Sequence, residues 1–115
     1  MKMIIAVIQP TRLRAVTEAL ARVGVTRYTV CDAQEFAKRE DRVLIYRGLE
    51  TQSDVLRKVS LEIAVNDDFL DTTVETIINV ARTGHRGNDG DGKVFVLPMD
   101  DAIHFYPKSR GKGAI

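Results

Sequence analysis

The segment richest in chemical possibility is Gly84-His85-Arg86-Gly87-Asn88-Asp89-Gly90-Asp91-Gly92-Lys93. Its four glycines admit backbone conformations closed to other residues and let a ligand approach the main-chain N–H groups. Such amide nests hold anions, and Lys93 or Arg86 would neutralise a phosphate. The segment is not a Walker loop, because no Ser or Thr follows Lys93 and the order is helix to strand. Asp89 and Asp91 suggest a calcium loop, but Lys93 holds the third ligand position and no closing Glu follows. A wide turn without a ligand would use the same glycines.

Catalytic constellations are missing. His85 and His104 have no Ser, Cys or carboxylate at a recognisable spacing, and Thr29 and Ser60 fall on expected strands without a nucleophile elbow. Asp91 beside Lys93 would support slow phosphate hydrolysis at most. Cys31 is the only cysteine, which excludes an internal disulfide and fits a small apolar residue in a reducing compartment. A second informative stretch, 32–57, carries Asp32, Glu35, Lys38, Arg39, Glu40, Asp41, Arg42, Arg47, Glu50, Asp54 and Arg57 among few apolar residues. It does not resemble packed structure. A connection of this length is a functional loop, a disordered linker or a solvated hairpin, and composition leaves these readings open.

The elements that must carry these segments are legible from periodicity. Met3–Ile8 is a continuous apolar run and reads as a strand. Pro10 suits the first turn of a helix, on which Leu13, Val16, Leu20 and Val23 recur at helical spacing until Gly24 caps it. Thr26–Val30 reads as a second strand. From Lys58 to Val65 the pattern alternates, with Val59, Leu61, Ile63 and Val65 on one face and Lys58, Ser60, Glu62 and Ala64 on the other. Asn66, Asp67 and Asp68 offer capping chemistry for a second helix whose buried stripe is Leu70, Val74, Ile77 and Ala81, with Gly84 ending it. Lys93–Leu97 reads as another strand and 102–106 as a short fifth.

Strand-helix-strand, twice over, predicts an α+β fold of the ferredoxin-like split βαβ kind (βαββαβ). Both helices would cover one face of an antiparallel sheet, with a long loop between strands two and three. The opposite face then needs cover, and an oligomer would supply it. A chain of 115 residues is one domain, 1–115, with the insert at 32–57, the glycine-rich segment at 84–93 and a C-terminal segment at 102–115. The composition, 44% hydrophobic and 29% charged, fits a soluble globular protein, and a net charge of +1 recommends neither nucleic acid nor an anionic membrane as partner. Tyr28, Phe95, Phe105 and Tyr106 are not framed by an RNA-recognition motif. The apolar start breaks at Gln9-Pro10, short of a signal peptide, and no run has the length of a membrane span, so a cytoplasmic location is expected.

The order and spacing of several segments resemble the PII nitrogen-regulatory family over nearly the whole chain. Met1–Pro10, Ala19-Leu20, Val23-Gly24-Val25-Thr26 and Thr29-Val30 fit its first half. Leu44-Ile45-Tyr46-Arg47-Gly48 is similar to its T-loop signature, and Lys58–Ile63 and Ala81-Arg82-Thr83-Gly84 recur in register. Gly90-Asp91-Gly92-Lys93-Val94-Phe95-Val96 matches its B-loop. The resemblance implies a homotrimer with three inter-subunit clefts in which ATP and ADP compete, a non-catalytic role, and a membrane transporter or metabolic enzyme as target of the T-loop. By position, Val7, Ile8, Thr29, Ile63 and Ala64 would lie near the adenine, and Gly90, Asp91, Gly92 and Lys93 would hold phosphates. Lys58 and Glu62 would stand beside the T-loop base, with Lys38 and Arg86 also at the nucleotide. Tyr46, Arg47, Gly48 and Thr51 would belong to the partner-binding loop.

The chain departs from the family at defined positions. Thr51 stands where many bacterial members carry a uridylylated tyrosine, so control by that modification is not expected. Arg39 replaces the glutamine that helps Mg²⁺-ATP bind 2-oxoglutarate, and a guanidinium has no acceptor for a metal. Altered or lost 2-oxoglutarate sensing is therefore expected. His104 and Tyr106 align with two phosphate-reaching arginines, with Lys108 and Arg110 downstream as compensation. The B-loop is also longer by Gly87-Asn88-Asp89. These changes keep open a PII-like sensor of another small molecule or nucleotide, such as AMP, with a different target.

Overall fold

The computed structural model describes residues 1–36, 45–46, 49–50, 55–84 and 86–115. Its centre is a four-stranded antiparallel sheet in the order β2-β5-β1-β6, formed by β1 Lys2–Ile8, β2 Thr29–Phe36, β5 Val55–Val65 and β6 Gly92–Pro98. Two helices, α1 Leu13–Arg22 and α2 Asp67–Ala81, connect β1 to β2 and β5 to β6. This is the α+β arrangement expected from the repeated strand-helix-strand pattern. Ile45–Tyr46 (β3) pairs with Leu49–Glu50 (β4) between β2 and β5. Ile103–His104 (β7) pairs with Ser109–Arg110 (β8) after β6.

The core follows from strand periodicity. Ile4, Ala6 and Ile8 of β1 stand opposite Ile63, Leu61 and Val59 of β5, all on one face. Val16, Ala19 and Leu20 of α1 and Ile77 and Ala81 of α2 cover that face. Each of the Ile, Leu and Val side chains among them contributes roughly 1.5–3 kcal/mol by leaving water. Pro10–Arg12 forms a 3-10 turn that leads into α1. The helix closes on Gly24 at φ 86°, where Gly24 N–H donates to the Ala21 carbonyl and Val25 N–H to the Leu20 carbonyl. The Arg12 guanidinium donates to the Val80 carbonyl, which fastens the start of α1 to the last turn of α2.

Several boundaries differ from the sequence expectation. Strand β2 begins at Thr29 rather than Thr26, because Val25 turns into the core and the intervening residues connect. It then continues to Phe36, and β5 begins at Val55 rather than Lys58, with eight rungs from Thr29↔Glu62 to Phe36↔Val55. The ends of the 32–57 insert are thus paired strand. Backbone pairing does not require apolar side chains, so Asp32, Gln34 and Arg57 are accommodated on strands open to water. Helix α2 ends at Ala81, before Gly84, as Arg82 adopts an extended backbone. The expected fifth strand is reduced to two residues, and it pairs with β8 instead of joining the main sheet. Asn66 does precede α2, but its side-chain amide donates to the Lys112 carbonyl at 3.4 Å instead of capping the helix.

The second face of the sheet carries no helix. By register it presents Met3, Ile5 and Val7, then Cys31 and Ala33, then Ser60, Glu62 and Ala64, then Lys93, Phe95 and Leu97. Phe95 is 50% and Leu97 42% exposed. Among the described residues no helix is long and apolar enough to cross a membrane.

Candidate functional site

Within the glycine-rich segment, the carboxylate of Asp91 gathers hydrogen bonds from both ends of the loop. Asp91 is 8% exposed. Its Oδ2 accepts the backbone N–H groups of Thr83 at 2.7 Å and Asn88 at 2.8 Å. Its Oδ1 accepts the Thr83 hydroxyl at 2.8 Å and the Gln9 amide at 3.3 Å. Asn88 opens a 3-10 turn over Asp89–Asp91, and Asp91 N–H donates back to the Asn88 carbonyl at 3.0 Å. The Thr83 N–H bond, followed by that from Asn88, holds the Asp91 carboxyl below its ordinary value of 3.8.

Gly92 then starts β6 at φ 139°, where a Cβ would overlap the Val7 carbonyl oxygen, so only glycine fits. Immediately before this turn, the Gly90 carbonyl accepts the Gln9 amide at 3.2 Å and the Lys58 ammonium. Lys58 is 5% exposed, and a buried ammonium needs such a partner. Lys58 belongs to β5, at the base of the hairpin, where Asp32, Gln34 and Arg57 line the same polar hollow. The glycine-rich loop and the hairpin base are therefore joined by one hydrogen bond.

The expected site residues on the sheet divide between its two faces. Val7, Thr29, Lys58, Glu62, Ala64 and Lys93 all stand on the helix-free face: Thr29 faces Glu62 and Val7 faces Lys93 across adjacent strands. Ala64 faces Met3, four residues along β1 from Val7, or ~14 Å. Ile8 and Ile63 lie on the opposite face, in the core, with Ile63 fully buried. Val7, Ile8, Asp91, Gly92 and Lys93 also line a cavity of ≈ 320 Å³ beside α2, with Arg82, Ile77, Ile78, Val94 and Val96 among its walls. Ala64 lines a separate cavity of ≈ 270 Å³ with Gly24, Arg27, Asn66 and Phe69.

His104 ends β7 and Tyr106 follows it in the C-terminal segment. Among the described residues no hydrogen bond connects either to Gly90–Lys93. His104 Nδ1 lies 3.4 Å from the Pro107 carbonyl, and Tyr106 is 87% exposed. Arg86 is exposed in the loop. Lys38, Arg39, Arg47, Gly48, Thr51 and His85 lie outside the described residues, and Tyr46 falls in β3. Among the described residues no three His, Cys, Asp or Glu side chains come together to hold a metal ion.

Sequence reasoning missed Gln9, Thr83 and Asn88 as the partners of Asp91. The Asn88-x-x-Asp91 spacing carried a readable signal, since it is the pattern of a capping box. Gln9 carried none, because only the pairing of β1 with β6 brings it to a residue 82 positions away.

Comparison with known proteins gives a consistent result. Residues 1–109 match the family described as nitrogen regulatory protein P-II. The chain is similar to nitrogen regulatory protein GlnK1 of Methanosarcina mazei, 40% identical over 118 residues, covering 100% of this chain and 97% of the relative. It is 43% identical over 115 residues to nitrogen regulatory protein P-II of Klebsiella oxytoca, with 100% of both chains covered. Among solved structures, Arabidopsis thaliana PII bound to citrate superposes with a TM-score of 0.77 at 33% identity, covering 98% of this chain and 87% of that one.

Proposed function

The chain belongs to the nitrogen regulatory protein P-II family, and on that premise we propose that it is a non-catalytic signal-transduction regulator of nitrogen metabolism that binds ATP or ADP between the subunits of a cytoplasmic homotrimer. The observation that carries this reading is the position of the glycine-rich loop. It opens into β6 beside Lys93 and Val7, on the same helix-free face as Thr29, Glu62 and Ala64. Apolar side chains on that face suit a planar base, while glycine amides and Lys93 suit its phosphates. One further feature supports the trimer. Phe95 and Leu97 leave the face half-exposed in one chain, and burial against neighbouring copies would complete the cleft.

Nucleotide in the cleft would shift the 32–57 hairpin between conformations, through the bond from Lys58 to the Gly90 carbonyl. That hairpin, with Tyr46, Arg47, Gly48 and Thr51 in its central part, is the proposed contact with a transporter or metabolic enzyme. Mg²⁺ and 2-oxoglutarate are not part of the proposal, because Arg39 offers donors only. A second reading, a sensor of AMP or another small molecule, is favoured by His104 and Tyr106 in place of phosphate-reaching arginines. The citrate carried by the Arabidopsis relative fits small-anion binding in the family.

Isothermal titration with ATP, ADP and AMP, each with and without Mg²⁺ and 2-oxoglutarate, separates these readings. Micromolar ATP or ADP affinity is the expected result. Binding of AMP alone would favour the second reading, and silence across all three would overturn the nucleotide assignment.

A further inference from the structure

A phosphate-holding loop has no use for a carboxylate aimed at its ligand, yet Asp91 sits in the middle of this one. The hydrogen bonds resolve the conflict. Both carboxylate oxygens turn inward, to Thr83, Asn88 and Gln9, with four donors between 2.7 and 3.3 Å. The stretch that lengthens the loop, Gly87-Asn88-Asp89, closes on the same group. Asn88 donates its backbone N–H to Asp91 and its side-chain amide to the Thr83 hydroxyl. Gly87 runs so close that a Cβ there would stand 3.1 Å from Asp91 Oδ2. The longer loop is thus a closed turn wound on one charge.

We infer that Asp91 is the positioning residue of this loop: it does not touch the bound anion, and its negative charge holds Gly90, Gly92 and Lys93 in the shape that receives one. The inference rests on the reading of the loop as a phosphate site. Charge is what the geometry requires, since an acceptor-only group satisfies four converging donors. An amide in its place would turn its NH₂ either toward the two N–H groups of Thr83 and Asn88 or toward the Thr83 hydroxyl and the Gln9 amide, and on either side it breaks donations that the carboxylate accepts. The depressed titration of Asp91, caused first by the Thr83 N–H, agrees with a carboxylate held ionised.

The test is Asp91→Asn titrated with ADP and with adenosine, alongside amide chemical shifts of Thr83 and Asn88 in the ligand-free protein. ADP affinity is expected to fall about tenfold to a hundredfold, the size of one or two charge-assisted hydrogen bonds. Adenosine affinity should not change, and the amide signals of Thr83 and Asn88 should move together. Thr83→Val, which keeps the N–H and loses only the hydroxyl, should show a smaller fall of the same selectivity and serves if Asp91→Asn does not fold. ADP binding as tight as in the unaltered chain, or tighter, would overturn the inference, as would equal losses for ADP and adenosine. If the unaltered chain binds neither compound, the nucleotide reading fails, and the amide shifts alone decide: unmoved signals would overturn the clamp as well.

Discussion

The glycine-rich loop and the C-terminal segment are both short, irregular and rich in charge, but they are held in opposite ways. In the loop, donors from Thr83 and Asn88 turn inward to the buried carboxylate of Asp91. The C-terminal segment turns outward: Phe105 is 93% and Tyr106 87% exposed, and an exposed ion pair joins Arg110 to Asp101. A loop closed on itself has its shape before any ligand arrives. A hairpin with an apolar tip in water has a shape that asks for a second surface, and in the proposed trimer a neighbouring subunit provides it.

The largest break in this contrast is expected from Gly92→Ala. The added Cβ would collide with the Val7 carbonyl at a φ of 139°, with a cost of about 3 kcal/mol or more for strained backbone and overlap. Thermal unfolding should show a midpoint lowered by roughly 10 °C or more; an unchanged midpoint would mean the loop is looser than its geometry indicates. Next in size is the double change Phe105→Ser with Tyr106→Ser. Both side chains are almost fully exposed in one chain, so intrinsic folding should hold while the trimer dissociates at concentrations about tenfold higher or more. Sedimentation reads this directly, and an unchanged trimer would place the aromatic tip outside the interface.

Acid and salt sharpen the comparison. Asp91 titrates below its ordinary value of 3.8 because Thr83 and Asn88 N–H groups favour its ionised form. Its stabilisation is therefore complete above that value and is lost as pH falls through the lower folded-state value. Asp101 is also lowered, first by its hydrogen bond from Arg110, so acid loosens both regions. Salt should part them: the exposed Arg110 pair is screened, whereas the enclosed bonds of Asp91 are not. Amide shifts of Thr83 and Ala102 across a salt series would check this. The smallest effect is expected for Arg110→Ala, since exposed ion pairs contribute little; a large loss of thermal stability would show the C-terminal segment to be more tightly tied than described.

Much of the fold was legible because apolar spacing reports it. Val59, Leu61, Ile63 and Val65 alternate in sequence and are buried in the structure. Composition does not separate loop from hairpin over the hairpin arms, because Asp32, Gln34, Glu35 and Arg57 are loop-like residues while backbone pairing is indifferent to their charge. At the site, the glycines announced a loop with special conformations, and Gly92 bears that out. The inward role of Asp91 was hidden, because its partners lie at Gln9 and Thr83 and only the folded sheet and the end of α2 bring them together.

The most direct test of the central claim, a nucleotide cleft that one chain cannot complete, is native mass spectrometry of the purified protein titrated with ADP. The account predicts a trimer carrying up to three ADP molecules and no ADP on monomer. ADP on a monomeric species, or a trimer that stays empty at millimolar ADP, would contradict it.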